Sequence, residues 1–176
     1  MERLLSDPAD YDARAAVMWA AALAWSGLPK AGVDGASIPN HMLEHPLSAY
    51  HDIAHGAGLS IVIPAWLRYK KADIAPRIIR FGRNILRMGV ELDGPPRGSG
   101  FDVRSESEQA DMVIDALENW YRKIGTPIRF DEGGIRDPDL EKLAGHALEL
   151  ARYWQVSGYT KEDIVKIYSL CGTASP

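Results

Sequence analysis

Apolar residues recur at three- and four-residue steps along most of this chain, and turn-forming residues separate stretches of helical length. β-branched runs are rare, so the pattern predicts an all-α fold, a helical bundle. The first helix is expected over residues 10–26, ended by Gly27 and Pro29. Its middle, residues 17–25, is apolar on every face, which predicts a helix at the centre of the bundle. A loop rich in Gly, Pro and Ser (30–39) leads to a helix over 40–50. Gly56 and Gly58 then precede a third apolar segment that ends at Lys71 and that Pro64 is expected to bend. A fourth helix is predicted over 75–88, and the Gly- and Pro-rich stretch 89–100 reads as a surface excursion rather than a domain boundary.

Signals sharpen in the second half. Ser105 and Glu108 form a capping box, and Ala110, Val113, Ile114, Leu117, Tyr121 and Ile124 share one helical stripe. Asp137-Pro138 opens another helix, with Leu140, Leu143, Ala147, Leu150 and Trp154 at three- and four-residue steps; Thr160 caps a last one carrying Ile164, Ile167, Tyr168 and Cys171. With no internal repeat, one helical domain spanning residues 1–176 is expected.

Composition narrows the function classes. At 176 residues with 46% hydrophobic content the chain can bury a real core. The formal net charge of -4, with both signs mixed throughout, gives no single-sign field, so neither nucleic acid nor a membrane surface is an expected partner. The longest apolar block, 15–25, falls short of the roughly 20 residues a membrane-spanning helix needs. Cys171 is the only cysteine, and the start of the chain turns acidic at Asp7 before any apolar run develops. No disulfide or signal peptide is expected, which points to the cytoplasm.

Chemistry concentrates in one window. Four of five histidines, His41, His45, His51 and His55, fall within fifteen residues. Neutral imidazole is the commonest ligand for zinc and iron, because it offers a lone pair without bringing charge into a buried place. On a continuous helix His41 and His45 lie one turn apart on one face and form the obvious pair. His41 and His55 also project to one side, yet an unbroken helix would separate them by roughly 20 Å. They can share an ion only if the helix breaks, and Asp52 as an N-cap with Gly56 and Gly58 as turning points offers such a break. Glu44 beside His45 does not make the zinc-protease pattern, since order and spacing are wrong. His51 and the isolated His146 read as structural or solvated. No Gly-rich dinucleotide motif, Walker loop or Ser-His-Asp pattern is present.

Read as written, residues 41–49, Asp52-Ile53-Ala54-His55-Gly56-Ala57-Gly58-Leu59 and Ile63-Pro64-Ala65-Trp66 closely resemble the iron-containing alcohol dehydrogenase family, and within it the butanol dehydrogenase branch. Support extends to Val17-Met18-Trp19-Ala20-Ala21 on one side and to Gly125-Thr126-Pro127-Ile128-Arg129 and residues 159–164 on the other. Enzymes of that family join an N-terminal α/β domain that binds NAD(P) to a C-terminal helical domain that holds Fe²⁺ or Zn²⁺ in the cleft between them. The resemblance implies that this chain is the second part only, without the NAD(P)-binding domain. It implies that His41 and His55 are two of four metal ligands, the other two, an Asp and a His, lying before Met1, so that the site here is incomplete. It moves His45 off the metal to a catalytic place beside cofactor and substrate, where it orients a small alcohol or aldehyde or relays its proton. NAD(P) would be bound only in a full-length enzyme, the chain alone would be inactive, and its partner would be an N-terminal domain fragment or a second copy. Two rivals stand beside this reading: a phosphohydrolase built on His51-Asp52, and a non-catalytic helical binding or oligomerisation module.

Overall fold

The structure is a computed structural model that describes residues 1–33, 37–89 and 104–172. Seven α-helices and one 3₁₀ turn are present, with no strand among the described residues, which agrees with the all-α expectation. The expected surface excursion lies outside the described residues except at Gly89, as do residues 34–36 of the first loop. No helix among the described residues is long and apolar enough to cross a membrane.

The chain divides into two compact units, residues 1–38 and 39–176. The first holds α1 (Glu2–Ser6), α2 (Tyr11–Trp25) and a 3₁₀ turn (Leu28–Lys30). The Asp10 side chain caps α2 by accepting from the Ala13 N–H at 3.0 Å, and Gly27, at φ +81°, lets the chain leave the helix in the left-handed region. One expectation fails here. Only Ala13 of α2 is buried, whereas Trp19 is 67% and Trp25 84% exposed. A unit of two helices and a short turn has too little surface to cover a helix that is apolar all round, so α2 is not the centre of a bundle in this chain.

The second unit contains α3 (Pro39–His51), α4 (His55–Asn84), α5 (Glu106–Lys123), α6 (Leu140–Tyr153) and α7 (Lys161–Ser169). The third and fourth predicted helices run together as one long element, α4, with a single non-helical residue, Ile74, at φ -129° and ψ 15°. The kink falls just ahead of Pro76, whose ring crowds the preceding turn and which has no N–H to bond it. Pro64, expected to bend the segment, sits buried in a run of helical backbone instead. The helix ends at Asn84, short of Met88, and Arg87 (φ +59°) and Gly89 (φ +68°) turn the chain away.

Each half of α4 serves a different core. Ile61, Val62 and Ala65 pack with Met42, Leu43 and Leu47 of α3, Leu143, Ala144 and Ala147 of α6, and Ile164, Ile167 and Tyr168 of α7. Beyond the kink, Ala75, Ile78 and Ile79 meet Ala110, Val113 and Ile114 of α5. Ala110, Val113, Ile114 and Leu117 of the predicted α5 stripe are buried, with Gln109 and Glu118 beside them, while Tyr121 and Ile124 are half-buried; the Ser105–Glu108 capping box is formed reciprocally. Thr160 and Asp163 make a second such box on α7. The start of α6 differs from expectation: Asp139 caps it by accepting from the Lys142 N–H, while Asp137, at φ +45°, lies in the preceding turn.

Three bonds, one buried and two partly buried, fix the first core. Tyr168 Oη donates to the Leu43 carbonyl at 2.6 Å and so ties α7 to α3. Ser60 Oγ lies 2.6 Å from the Pro127 carbonyl, and Trp66 Nε1 donates to Tyr159 Oη at 2.7 Å. Burial pushes the Tyr168 phenol and the Cys171 thiol well above their ordinary pKa values, so both stay neutral.

Candidate metal centre

The helix break that His41 and His55 require is present between α3 and α4. Asp52 closes α3 by donating its N–H to the Ser48 carbonyl at 3.1 Å and takes φ +53°. Asp is one of the few residues with a Cβ that tolerate this left-handed conformation. Ile53 and Ala54 follow, and α4 starts at His55 with Ala54 as its cap, without any side-chain capping bond. Asp52 therefore ends one helix rather than capping the next, which corrects the expected N-cap role. Gly56 and Gly58 likewise lie inside the first turn of α4 and do not turn the chain.

Through this corner three imidazoles converge. His41 sits in the first turn of α3, His45 one turn later and His55 at the first position of α4. His55 Nε2 is 3.0 Å from His41 Nδ1, and the two ring centroids are 5.0 Å apart. The His41 and His45 rings, the pair that helix geometry favours, are 6.5 Å apart, and His45 is 5.3 Å from His55. One ring nitrogen from each of the three lies within 4.8 Å of the others. His45 is exposed and packs edge-on against Trp154 at 4.9 Å, so the last residue of the predicted α6 stripe reaches the cluster. His51 is outside the group, and His146 packs against Tyr50 on α3 with its Nδ1 buried and unbonded.

Sequence reasoning passed over Glu44. It is fully buried, and its carboxylate contacts both His55 Nδ1 and Ser48 Oγ. Ser48 Oγ also lies 3.0 Å from the Ile53 carbonyl inside the helix break. Gly58 explains how a carboxylate fits there: a Cβ at that position would collide with Glu44 Oε1 and lie 2.7 Å from its Cγ. The available signal was an acidic residue at a position where α3 is otherwise apolar, between Leu43 and Leu47. Beside His41, the Asn40 side-chain oxygen is buried without a hydrogen-bond partner.

The donor set fits a divalent iron or zinc ion. Imidazole nitrogens bind zinc at about 2.0–2.1 Å, which places two of them roughly 3–4 Å apart. His41 and His55 already meet that spacing, while His45 stands farther off, its ring 6.5 Å from that of His41 and 5.3 Å from that of His55.

An all-helical domain with an imidazole cluster at a broken helix is the class that the fold and the corner define. Residues 1–171 match the family described as Fe-containing alcohol dehydrogenase family, C-terminal. The chain belongs to the iron-containing alcohol dehydrogenase family, in its C-terminal part. It is similar to NADH-dependent butanol dehydrogenase A of Clostridium acetobutylicum, with 34% identity over 90% of this chain and 38% of that protein. The Escherichia coli NADPH-dependent aldehyde reductase shares 31% identity over 83% of this chain and 35% of that protein. Among solved structures, the NADH-dependent butanol dehydrogenase A of Thermotoga maritima superposes with a TM-score of 0.81 and 32% identity, covering 98% of this chain and 42% of that one. The chain thus spans well under half the length of these relatives.

Proposed function

We propose that this chain is the metal-binding helical part of an NAD(P)-dependent alcohol or aldehyde oxidoreductase, with His41 and His55 as ligands to Fe²⁺ or Zn²⁺ and His45 as the group beside the substrate. The observation that carries this reading is the 3.0 Å approach of two imidazoles fourteen residues apart across a helix break. When bound, the divalent ion supplies Lewis acidity to the substrate oxygen. His45 is exposed at the same corner with its ring set against Trp154, where it can orient a small alcohol or aldehyde or take and return the hydroxyl proton. The nicotinamide that the names of the relatives imply would accept or give the hydride. A reducing cytoplasm suits the reading, as Cys171 is buried and unpaired.

The 176-residue polypeptide alone is expected to be inactive, because it spans only 35–42% of the length of these relatives. Pure chain with NADH or NADPH and butyraldehyde should give no turnover, and mixing with a matching cofactor-domain fragment should restore it; robust turnover by the chain alone overturns this. Zinc titration should show binding that His41→Ala abolishes, and tight one-to-one binding that survives that change overturns the ligand assignment.

The second reading, a non-catalytic binding or oligomerisation module, draws on the exposed Trp19 and Trp25 of α2. Light scattering that shows concentration-dependent association, together with no fluorescence response to NADPH or zinc, favours it. His51, on which the phosphohydrolase reading turns, stands apart from the cluster.

A further inference from the structure

We infer that Glu44 is a positioning residue for His55: it holds the ring by Nδ1 and thereby presents Nε2, with its lone pair, to the metal corner. This rests on the metal reading above and adds to it a residue that touches neither ion nor substrate.

A carboxylate with no exposed surface is costly to keep in a helical core unless its oxygens are satisfied. Glu44 lies on the inner face of α3 among Leu43 and Leu47, both fully buried. Its oxygens meet two side chains, His55 Nδ1 and Ser48 Oγ, and both belong to the corner rather than to the core. A carboxylate oxygen offers lone pairs, so at this contact the imidazole nitrogen is the donor. The tautomer follows: Nδ1 donates to Glu44, and Nε2 is left as the acceptor. Nε2 is the nitrogen that faces His41 at 3.0 Å. The same bond sets the ring's rotation, because a ring held at Nδ1 by a residue of α3 cannot swing out with the α4 terminus.

The neighbouring residues make sense on this account. Ser48 stands one turn after Glu44 and reaches both the carboxylate and the Ile53 carbonyl, which links the orienting acid to the helix break itself. Gly58 stands one turn after His55, and any Cβ there would drive the carboxylate away from the ring. Sequence makes Glu44 a misplaced acid and Gly58 a helix-weakening glycine in the first turn of a long helix. Together they form the seat in which one carboxylate meets one imidazole.

Two measurements on the full 176-residue chain decide this. In the metal-free chain, ¹⁵N NMR of the imidazoles should show His55 carrying its proton on Nδ1; a proton held on Nε2 in the unaltered chain overturns the inference without any variant. Zinc titration should then show Glu44→Ala weakening affinity about 10–100-fold, the range for loss of a carboxylate behind a ligating histidine. Glu44→Gln should fall between, because its amide oxygen still accepts from Nδ1, and the His55 tautomers should mix in Glu44→Ala. Gly58→Ala should behave like Glu44→Ala, since it displaces the same carboxylate. A folded Glu44→Ala chain with zinc affinity within twofold and an unchanged tautomer overturns the proposal; should that chain fail to fold, Glu44→Gln with unchanged zinc affinity does so. Absence of zinc binding by the unaltered chain, or binding that His55→Ala leaves intact, sinks the metal reading instead, and the tautomer still decides whether Glu44 holds the ring.

Discussion

The α4–α5 interface and the α3–α4 corner are built on opposite terms. At the interface most local rules agree: a capping box starts α5, Ala110, Val113, Ile114 and Leu117 of its stripe are buried, and the partners on α4 are small or branched aliphatics, the kink at Ile74 and the buried Glu118, paired with Arg68, being the exceptions. At the corner local rules are broken one after another. Pro46 lies inside α3, Asp52 takes a positive φ, an acid is fully buried, a glycine sits in the first turn of a helix, and three imidazoles crowd together at the surface. Local consistency is what specifies a fold, so its repeated failure within residues 41–58 marks the place where the chain serves something other than stability.

If that division is right, a core change at the interface should cost much stability and leave the corner's chemistry alone. Ile114 is fully buried against α4, and Ile114→Ala should destabilise the chain by about 2–5 kcal/mol. Urea unfolding followed by circular dichroism measures this, and zinc titration of the folded variant should match the unaltered chain. A tenfold loss of zinc affinity in Ile114→Ala would join the two regions and break the comparison.

A smaller effect tests whether α4 is held separately from the corner it begins. Tyr69 donates to Asp163 on α7 at 2.6 Å, and Asp163 also receives bonds from the Thr160 backbone and hydroxyl. The Tyr69 bond, with the Thr160 bonds behind it, lowers the Asp163 pKa to about 2, and the same bond raises Tyr69 to about 12. A depressed carboxylate stabilises the fold above its unfolded pKa, near 3.9, and loses that contribution as pH falls toward 2. A raised phenol stabilises it below about 10 and loses that contribution as pH climbs toward 12. Tyr69→Phe should therefore cost roughly 1–2 kcal/mol at pH 7. Its penalty should shrink below about pH 3 and above about pH 11, in the pH-dependence of the urea midpoint, as the shifts predict. A penalty that stays constant across pH would mean the bond contributes only packing.

Much of this was legible in the sequence, and unevenly so. The α5 stripe, the Ser105–Glu108 capping box and the Thr160 cap could be read because they depend on residues within one or two turns of each other. The need for a helix break between His41 and His55 was legible from rise per residue alone. Its mechanism was not, because whether Asp52 caps a new helix or ends the old one depends on a single φ that no local spacing encodes. Glu44 escaped because its partner His55 is eleven residues away in the next helix, a contact that exists only after the corner forms. The burial of α2 was misjudged for a related reason: apolar content states that a helix wants cover, and cannot state whether this chain supplies it.

The smallest expected effect tests the corner's one strained residue. Left-handed backbone costs an ordinary L-residue roughly 1–2 kcal/mol, less for Asp, and glycine avoids that cost while adding freedom to the unfolded chain. The two terms oppose, so Asp52→Gly should leave stability within about 0.5 kcal/mol of the unaltered chain and leave zinc affinity intact. Asp52→Val cannot make the same compromise, since a β-branched side chain is poorly tolerated at positive φ. It should lower the urea midpoint and, because relaxing φ moves His55 relative to His41, weaken zinc binding as well. Were Asp52→Val to unfold and bind zinc like Asp52→Gly, the positive φ would not be what brings the two imidazoles together, and the corner would owe its shape to the Ser48 and Glu44 contacts alone.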